Sequence, residues 1–200
     1  MMKKKYIVLT SEYGSGARLI GKRLAKDLGI KFYGEEDLLI KAAKESGMDE
    51  KVLREYDEKL ANVDFNNSTT GDSESDIAAE IFNVYASAIL KVVEEGPCIL
   101  MERGADIVLK DKVDFLNVYT YTSELDKKIE RCMRVVGVAE QDAPKFIESQ
   151  SMQRKLYYQS FSSIERGKMN EYDLCINTDK FDADALEMEK CAAIIKAALL

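Results

Sequence analysis

The sequence predicts an α/β fold in which a parallel five-stranded sheet carries helices on both faces in a doubly wound order. Three observations predict it. Short apolar runs such as Cys98-Ile99-Leu100-Met101 lack polar alternation, as strands covered on both faces do. Segments with helical spacing lie between these runs, so strands and helices alternate along the chain. The first run, Tyr6-Ile7-Val8-Leu9, leads into Thr10-Ser11-Glu12-Tyr13-Gly14-Ser15-Gly16-Ala17-Arg18, which reads as a tight glycine loop followed by a helix start.

The elements follow in order. Leu19, Ile20, Leu24 and Leu28 recur at helical spacing, and Gly29 is placed to close that helix. Ile30-Lys31-Phe32-Tyr33 reads as a short second strand. Helices are predicted from Glu36 to Ser46 and from Asp49 to about Leu60, separated by Gly47. Asn62 to Asp76 is rich in Asn, Ser, Thr and Asp and holds Gly71, so a mobile loop is expected there. Asp76 to Glu95 reads as an amphipathic helix with Ile77, Ile81, Tyr85, Ile89 and Val92 on one side. Gly96-Pro97 punctuates before the strand Cys98–Met101, and Ala105 to Leu109 follows as a short helix. Phe115 to Tyr121 has high β propensity. Ser123 is expected to cap a helix reaching about Val135, and Gln141 to Phe161 to form a long one, basic and aromatic toward its end. Leu174–Asn177 is the last strand, and Asp182 to Leu199 the closing helix. No internal repeat is present.

The chain has 200 residues and a net charge of −7, enough length for a sizeable core and simplest as one domain over residues 1–200. The acidic balance argues against a general nucleic-acid binder. No apolar run approaches the length that spans a bilayer, and Met1-Met2-Lys3-Lys4-Lys5 leads into a strand unsuited to a signal peptide. Cys98, Cys132, Cys175 and Cys191 are widely spaced in apolar segments and read as buried free thiols, so a cytoplasmic location is expected and a zinc site is not. Oligomeric state stays open, with a homodimer among the options. The chain contains no histidine, which removes the usual general base and every Ser–His or Cys–His mechanism.

Strand, glycine loop and helix are together the plan of a phosphate-binding loop (P-loop). Glycines let the backbone approach an anion, and the new helix turns free N–H groups and its positive dipole end toward it. Measured against G-x-x-x-x-G-K-[ST], Gly16 aligns, Ser11 takes the first glycine slot, Ala17 the lysine slot and Arg18 the Ser/Thr slot. Gly14 to Arg18 would cradle donor phosphates through backbone N–H groups. Arg18 is either a stand-in for the lysine or a solvated first-turn arginine, and Lys22, one turn on, reads as surface. Glu12 either reaches magnesium through water or orients Arg18.

With these elements in place, the sequence resembles the cytidylate kinase-like family of P-loop kinases. The resemblance is carried by Ser11–Arg18, Leu28–Tyr33, Gly96–Arg103, Ile129-Glu130-Arg131, Gln153-Arg154 with Tyr157-Tyr158, and Tyr172–Thr178, in that order. It implies a P-loop NTPase core of nucleoside-monophosphate-kinase type, with a helical acceptor-binding region over 35–95 and a lid over about 145–170. It implies transfer of the γ-phosphoryl of ATP, with Mg2+, to a nucleoside monophosphate such as CMP or dCMP. A kinase for another small acceptor, or a nucleotide-binding protein without turnover, are the alternatives. The chain departs from the family pattern at several places. Ser11 stands for an arginine, Ala17 for glycine, Gly34 for aspartate, Glu102 for glycine, and Ser162-Ser163 for Thr-Gly. Arg166 stands near a missing lid tryptophan.

Phosphoryl transfer needs cations and N–H donors around the transferring group, and arginine pairs two oxygens of one phosphate. Arg18, Arg103 and Arg154 are the candidate catalytic residues. Glu12, Tyr13, Gly14, Ser15, Gly16, Ala17 and Arg18 are the candidate nucleotide-binding set, and Arg103, Asp106, Lys128 and Arg131 the candidate acceptor-binding set. Arg103 follows a buried strand at its carboxyl end, where open α/β sheets bind ligands; its alternative is a salt bridge to Glu102. Asp106 would read an acceptor group or merely complement a helix dipole. Lys128 and Arg131, at i and i+3 on one helix, would both face the cleft or belong to a solvated face. Arg154 and Lys155 form a lid basic cluster or a charged helix surface. Tyr172-Asp173-Leu174 reads mostly as a structural strand entry, and on the resemblance its Asn177-Thr178 end would lie beside the adenine.

Overall fold

The structure is a computed structural model that describes residues 5–62, 72–181 and 185–199. Strands β1 (Tyr6–Ser11), β2 (Lys31–Tyr33), β3 (Cys98–Met101), β4 (Phe115–Tyr121) and β5 (Leu174–Asn177) form one sheet in the order β2-β3-β1-β4-β5. Every neighbouring pair is parallel, with Leu9 opposite Met101 on one side and Val118 on the other. β1 is therefore central, and the chain switches direction across it. Ligands in such sheets bind at the carboxyl ends of the strands beside that switch.

Alternation within β1 sends its side chains to two cores. Ile7 and Leu9 pack with Ile20 and Leu24 of α1 (Ala17–Leu28) and with Cys191 and Ile195 of α8 (Ala185–Ala197). Val8, on the opposite face, packs with Leu38 of α2 (Glu35–Ser46), Ile89 and Val92 of α4 (Asp72–Glu94) and Val108 of α5 (Ala105–Leu109). Gly21 sits where α1 crosses β2, and a Cβ there would lie 2.4 Å from a Phe32 ring carbon. A third cluster joins α2 and α4 to α3 (Glu50–Asn62) and α7 (Ala143–Gln159) through Leu39, Leu53, Tyr85 and Tyr157. α6 (Leu125–Val136) meets α7 through Cys132 and Ile147.

Two expectations change. The Asn62–Asp76 segment is shorter than a loop of that length, because α3 runs to Asn62 and α4 starts at Asp72. Its centre, 63–71, lies outside the described residues, as do 182–184 at the expected start of the last helix. Ser123 does not cap α6. Asp179, from the loop after β5, takes the N–H groups of Ser123 at 2.9 Å and Glu124 at 3.4 Å, together with the hydroxyls of Thr122 and Ser123. Those hydroxyl bonds hold the Asp179 carboxyl well below the usual carboxylate range. No helix among the described residues is long and apolar enough to cross a membrane.

Candidate functional site

β1 ends at Ser11 and α1 begins at Ala17, so the glycine loop bridges the central strand and a helix N-terminus. Gly14 and Gly16 take left-handed φ values of 81° and 88°, which side chains resist. Ser15 is fully buried and its hydroxyl meets that of Thr120 at 2.9 Å. The N–H groups of Ala17 and Arg18 stand at the start of the helix, where no earlier turn can accept them. This backbone fits an anion.

α6 forms one wall of the loop. A Cβ on Gly14 would lie 2.8 Å from Lys128 Cβ and 3.0 Å from its Cα, so only glycine allows this approach. Lys128 Nζ pairs with Glu12 at 3.0 Å, and the same Glu12 oxygen accepts the Thr122 N–H. Glu12 thus orients Lys128, not Arg18. Arg131 is buried and ties three segments together. Its guanidinium donates to Gly14 O at 3.2 Å, to Thr178 Oγ1 at 3.1 Å, and to the Thr178 and Phe181 carbonyls at 2.7 and 2.5 Å. Lys128 and Arg131 therefore brace the loop, and neither lines the arginine-rich cavity described below. Thr178, placed beside the adenine by the resemblance, is buried under this clamp.

The opposite wall is a lattice of guanidiniums and carboxylates. Glu35, the first residue of α2, takes Arg154 Nε at 3.2 Å and Nη2 at 2.8 Å, and Arg18 lies 4.0 Å away. Burial works against the Glu35 charge, but Arg154, Arg103 and Arg18 overrule it and hold its pKa low. Arg154 also donates to Ser11 O and Oγ and lies over the Tyr13 ring, 4.9 Å from its centre. Glu102 is buried at the end of β3. It accepts the Ser11 N–H and hydroxyl, both at 2.8 Å, pairs with Arg166 at 2.8 Å and has Arg154 at 3.4 Å. Glu102 and Arg103 are consecutive non-glycine residues with φ of 65° and 59°. Such strain costs about 1–3 kcal/mol per residue and gathers at functional sites. The Arg103 guanidinium rests 4.6 Å over the buried Tyr85 ring and 5.6 Å from that of Tyr157.

Two cavities meet here. One, of about 470 Å³, opens on Gly14, Gly16 and Arg18 with Cys132 and Val136 behind. The other, of about 310 Å³, is lined by Arg18, Arg54, Arg103, Arg154 and Arg166 against Glu35, Glu36 and Glu102. Tyr13, Arg18, Glu35 and Arg154 border both. The predicted catalytic trio, Arg18, Arg103 and Arg154, is thus brought to one cavity. Asp106 is not. It accepts the Tyr158 hydroxyl at 2.7 Å and lines a separate recess with Asn117 and Asp173, and burial raises its pKa. Lys155 is exposed on α7, and Lys22 stands at the rim of the larger cavity.

A family model for the cytidylate kinase-like family matches residues 6–180. The chain belongs to the cytidylate kinase-like family. Over 200 residues it is 26% identical to the cytidylate kinase of Pyrococcus horikoshii, covering all of this chain and 91% of that protein. An uncharacterized protein from Eubacterium ventriosum shares the fold at a TM-score of 0.68, with 21% identity and 97% of both chains covered. Shikimate kinase from Bacteroides thetaiotaomicron shares it at 0.56, with 15% identity and 97% of both chains covered. The fold is that of P-loop kinases.

Against this family's pattern, three departures touch one another: Ser11, Glu102 and Arg166 form one hydrogen-bonded group. Neither Glu35 nor Arg166 stood out as a site residue in the sequence. Glu35 sits in an acidic helix start, and Arg166 in an irregular stretch without periodicity. The loop backbone, with Gly14 and Gly16 at left-handed φ ahead of the α1 N-terminus, fits the phosphates of a nucleotide. The Ser/Thr slot holds Arg18, Glu102 is committed to Ser11 and two arginines, and no group of three His, Cys, Asp or Glu side chains among the described residues is arranged to hold a metal.

Proposed function

We propose that this chain transfers the γ-phosphoryl group of Mg-ATP to a nucleoside monophosphate, with CMP or dCMP the first acceptor to test. One observation carries the reading. A glycine loop shaped for phosphate lines one cavity, and across Tyr13, Arg18, Glu35 and Arg154 this meets a second where five guanidiniums face three carboxylates. That balance suits a phosphate monoester dianion beside the donor. Ala17 to Arg18 and the glycines hold the donor phosphates through backbone N–H groups. Arg18, Arg103 and Arg154 neutralise charge on the transferring group. An oxygen of the acceptor phosphate forms the new bond to the γ-phosphorus as the bond to the bridging oxygen of ADP breaks. The attacking oxygen is already anionic, so a chain without histidine lacks nothing the step requires. The helical region over 35–95 serves the acceptor, and the segment over about 145–170 is the lid, within one domain. The partners are then nucleotides, in a cytoplasmic setting, without nucleic acid or membrane.

A coupled ADP-release assay over CMP, dCMP, UMP, AMP, GMP and shikimate tests this. Turnover best with CMP or dCMP is expected. Better turnover with another acceptor overturns the acceptor assignment alone. Tight Mg-ATP binding with no turnover on any acceptor moves the reading to a nucleotide-binding protein without catalysis.

A further inference from the structure

Arg154 and Arg166 both reach the mouth of the glycine loop, but their donors are used differently. Arg154 directs Nε and Nη2 to Glu35 and Nη1 to Ser11. All its nitrogens are engaged. Arg166 uses Nη2 alone, donating to Ser11 O and to both Glu102 oxygens at 2.9 and 2.8 Å. Among the described residues, Nη1 and Nε of Arg166 take no hydrogen-bond partner. Its side chain is nonetheless only 10% exposed and lines the smaller cavity beside Arg103. The unpaired Nη1 and Nε keep contact with solvent at the cavity, so this edge of the guanidinium is presented to the cavity and open to an acceptor oxygen.

We propose that Arg166 is a phosphate-contacting residue and that Glu102 is the positioning residue that aims it. This rests on the kinase reading above. Two buried guanidiniums, Arg154 and Arg166, repel each other, and Glu102 lies within ion-pair distance of both. Without it, Arg166 would keep one carbonyl acceptor and would gain by turning to water. Ser11 completes the group: its N–H and hydroxyl fix Glu102, and its carbonyl takes Arg166. Glu35 and Glu102 offset Arg154 and Arg166, and the remaining guanidiniums of Arg18, Arg54 and Arg103 against Glu36 leave the cavity positive, so it attracts phosphate despite its carboxylates. A loop with Ala17 in its lysine slot thereby receives positive charge from a residue far along the chain. The target is a phosphoryl oxygen at the loop mouth, either of the donor's γ-phosphoryl or of the acceptor's phosphate.

The test uses wild type, Arg166→Gln, Glu102→Gln and the double variant. In urea unfolding without ligand, the double variant is expected to be about tenfold more stable, in folding equilibrium, than the summed single effects allow. Additive effects overturn the positioning claim. In calorimetry with Mg-ATP, Mg-ADP and CMP, Arg166→Gln is expected to weaken at least one ligand tenfold or more. Loss for Mg-ATP but not Mg-ADP assigns the γ-phosphoryl; loss for CMP assigns the acceptor phosphate. Glu102→Gln should weaken the same ligand in wild type and add nothing beside Arg166→Gln. Arg166→Lys keeps the charge facing Glu102 and loses the fork; it replaces Arg166→Gln if that variant does not fold, with the same loss of affinity expected. Wild-type affinity in the Arg166 variants, or tighter binding in Glu102→Gln, overturns the proposal while leaving the kinase reading intact. A wild type that binds none of the three ligands overturns both.

Discussion

Replacing Arg131 with Met should cost stability, with any effect on chemistry following from that. The side chain is buried and, among the described residues, donates to the carbonyls of Gly14, Thr178 and Phe181 and to the Thr178 hydroxyl. A hydrogen bond to a charged donor contributes about 1.5–3 kcal/mol, and each buried acceptor left unmade costs about 1–3 kcal/mol. These losses do not add, because the freed segments relax together and Met recovers part of the apolar contact. A net loss of about 3 kcal/mol is expected. In urea, with a slope near 2 kcal/mol/M, the midpoint should fall by about 1.5 M. The melting temperature should drop by roughly 6–12 °C for a chain of this size. The clamp joins the loop after β5 to the glycine loop, so hydrogen exchange at Gly14 and Thr178 should rise with it. An unchanged urea midpoint combined with a selective loss of acceptor turnover would refute this reasoning and return Arg131 to the acceptor site.

Other substitutions separate the roles of individual residues. Gly16→Val places a β-branched side chain at φ 88°, with its Cβ 2.9 Å from Met188 Sδ; nucleotide affinity should fall at least a hundredfold in calorimetry while melting stays cooperative. Gly21→Ala gains about 1 kcal/mol of helix propensity but drives a Cβ to within 2.4 Å of Phe32; overpacking costs about 1–3 kcal/mol, so thermal melts should show net destabilisation. Asp179→Ala removes the acceptor at the start of α6, at a cost of about 1 kcal/mol at pH 7. Because the folded Asp179 pKa is depressed, its contribution is complete above the unfolded value near 4 and is lost as pH falls further. The stability gap between wild type and variant should therefore close in acid.

The strands were legible because each is a continuous apolar run in a chain where helices of 3.6 period fill the gaps. Cys98–Met101 and Leu174–Asn177 fall where the sequence places them. Helix starts were less legible. Ser123 has the residue type of a cap, yet the capping acceptor comes from Asp179 on a distant loop, which no local pattern signals. The same limit separates site residues. Arg103 and the loop glycines are marked by their position after buried strands, a rule of sheet topology. The i, i+3 spacing of Lys128 and Arg131 puts them near each other on α6, but local spacing does not say that α6 presses on the loop so closely that Gly14 has no room for a Cβ. Asp106 shares a short helix with the turn that carries Arg103, and the direction of Tyr158 on α7 decides that it leaves the cavity.

Ala17 also explains why the cations come from where they do. It is 4% exposed and packs with Ile20, Leu24 and Met188, so the first turn of α1 is tied to the core and offers no long cation at that slot. Arg18, one residue on, points about 100° further round the helix and reaches Glu35 across the cavity. The remaining positive charge at Ser11 arrives on Arg154 and Arg166, from α7 and the segment after it. Both bind the same Ser11 carbonyl, and Tyr157, on the same helix as Arg154, buries its ring beside Tyr85. Seating the end of α7 and charging the glycine loop are therefore one structural event. On the kinase reading, phosphate affinity depends on that docking, where a lysine inside the loop would have made it local.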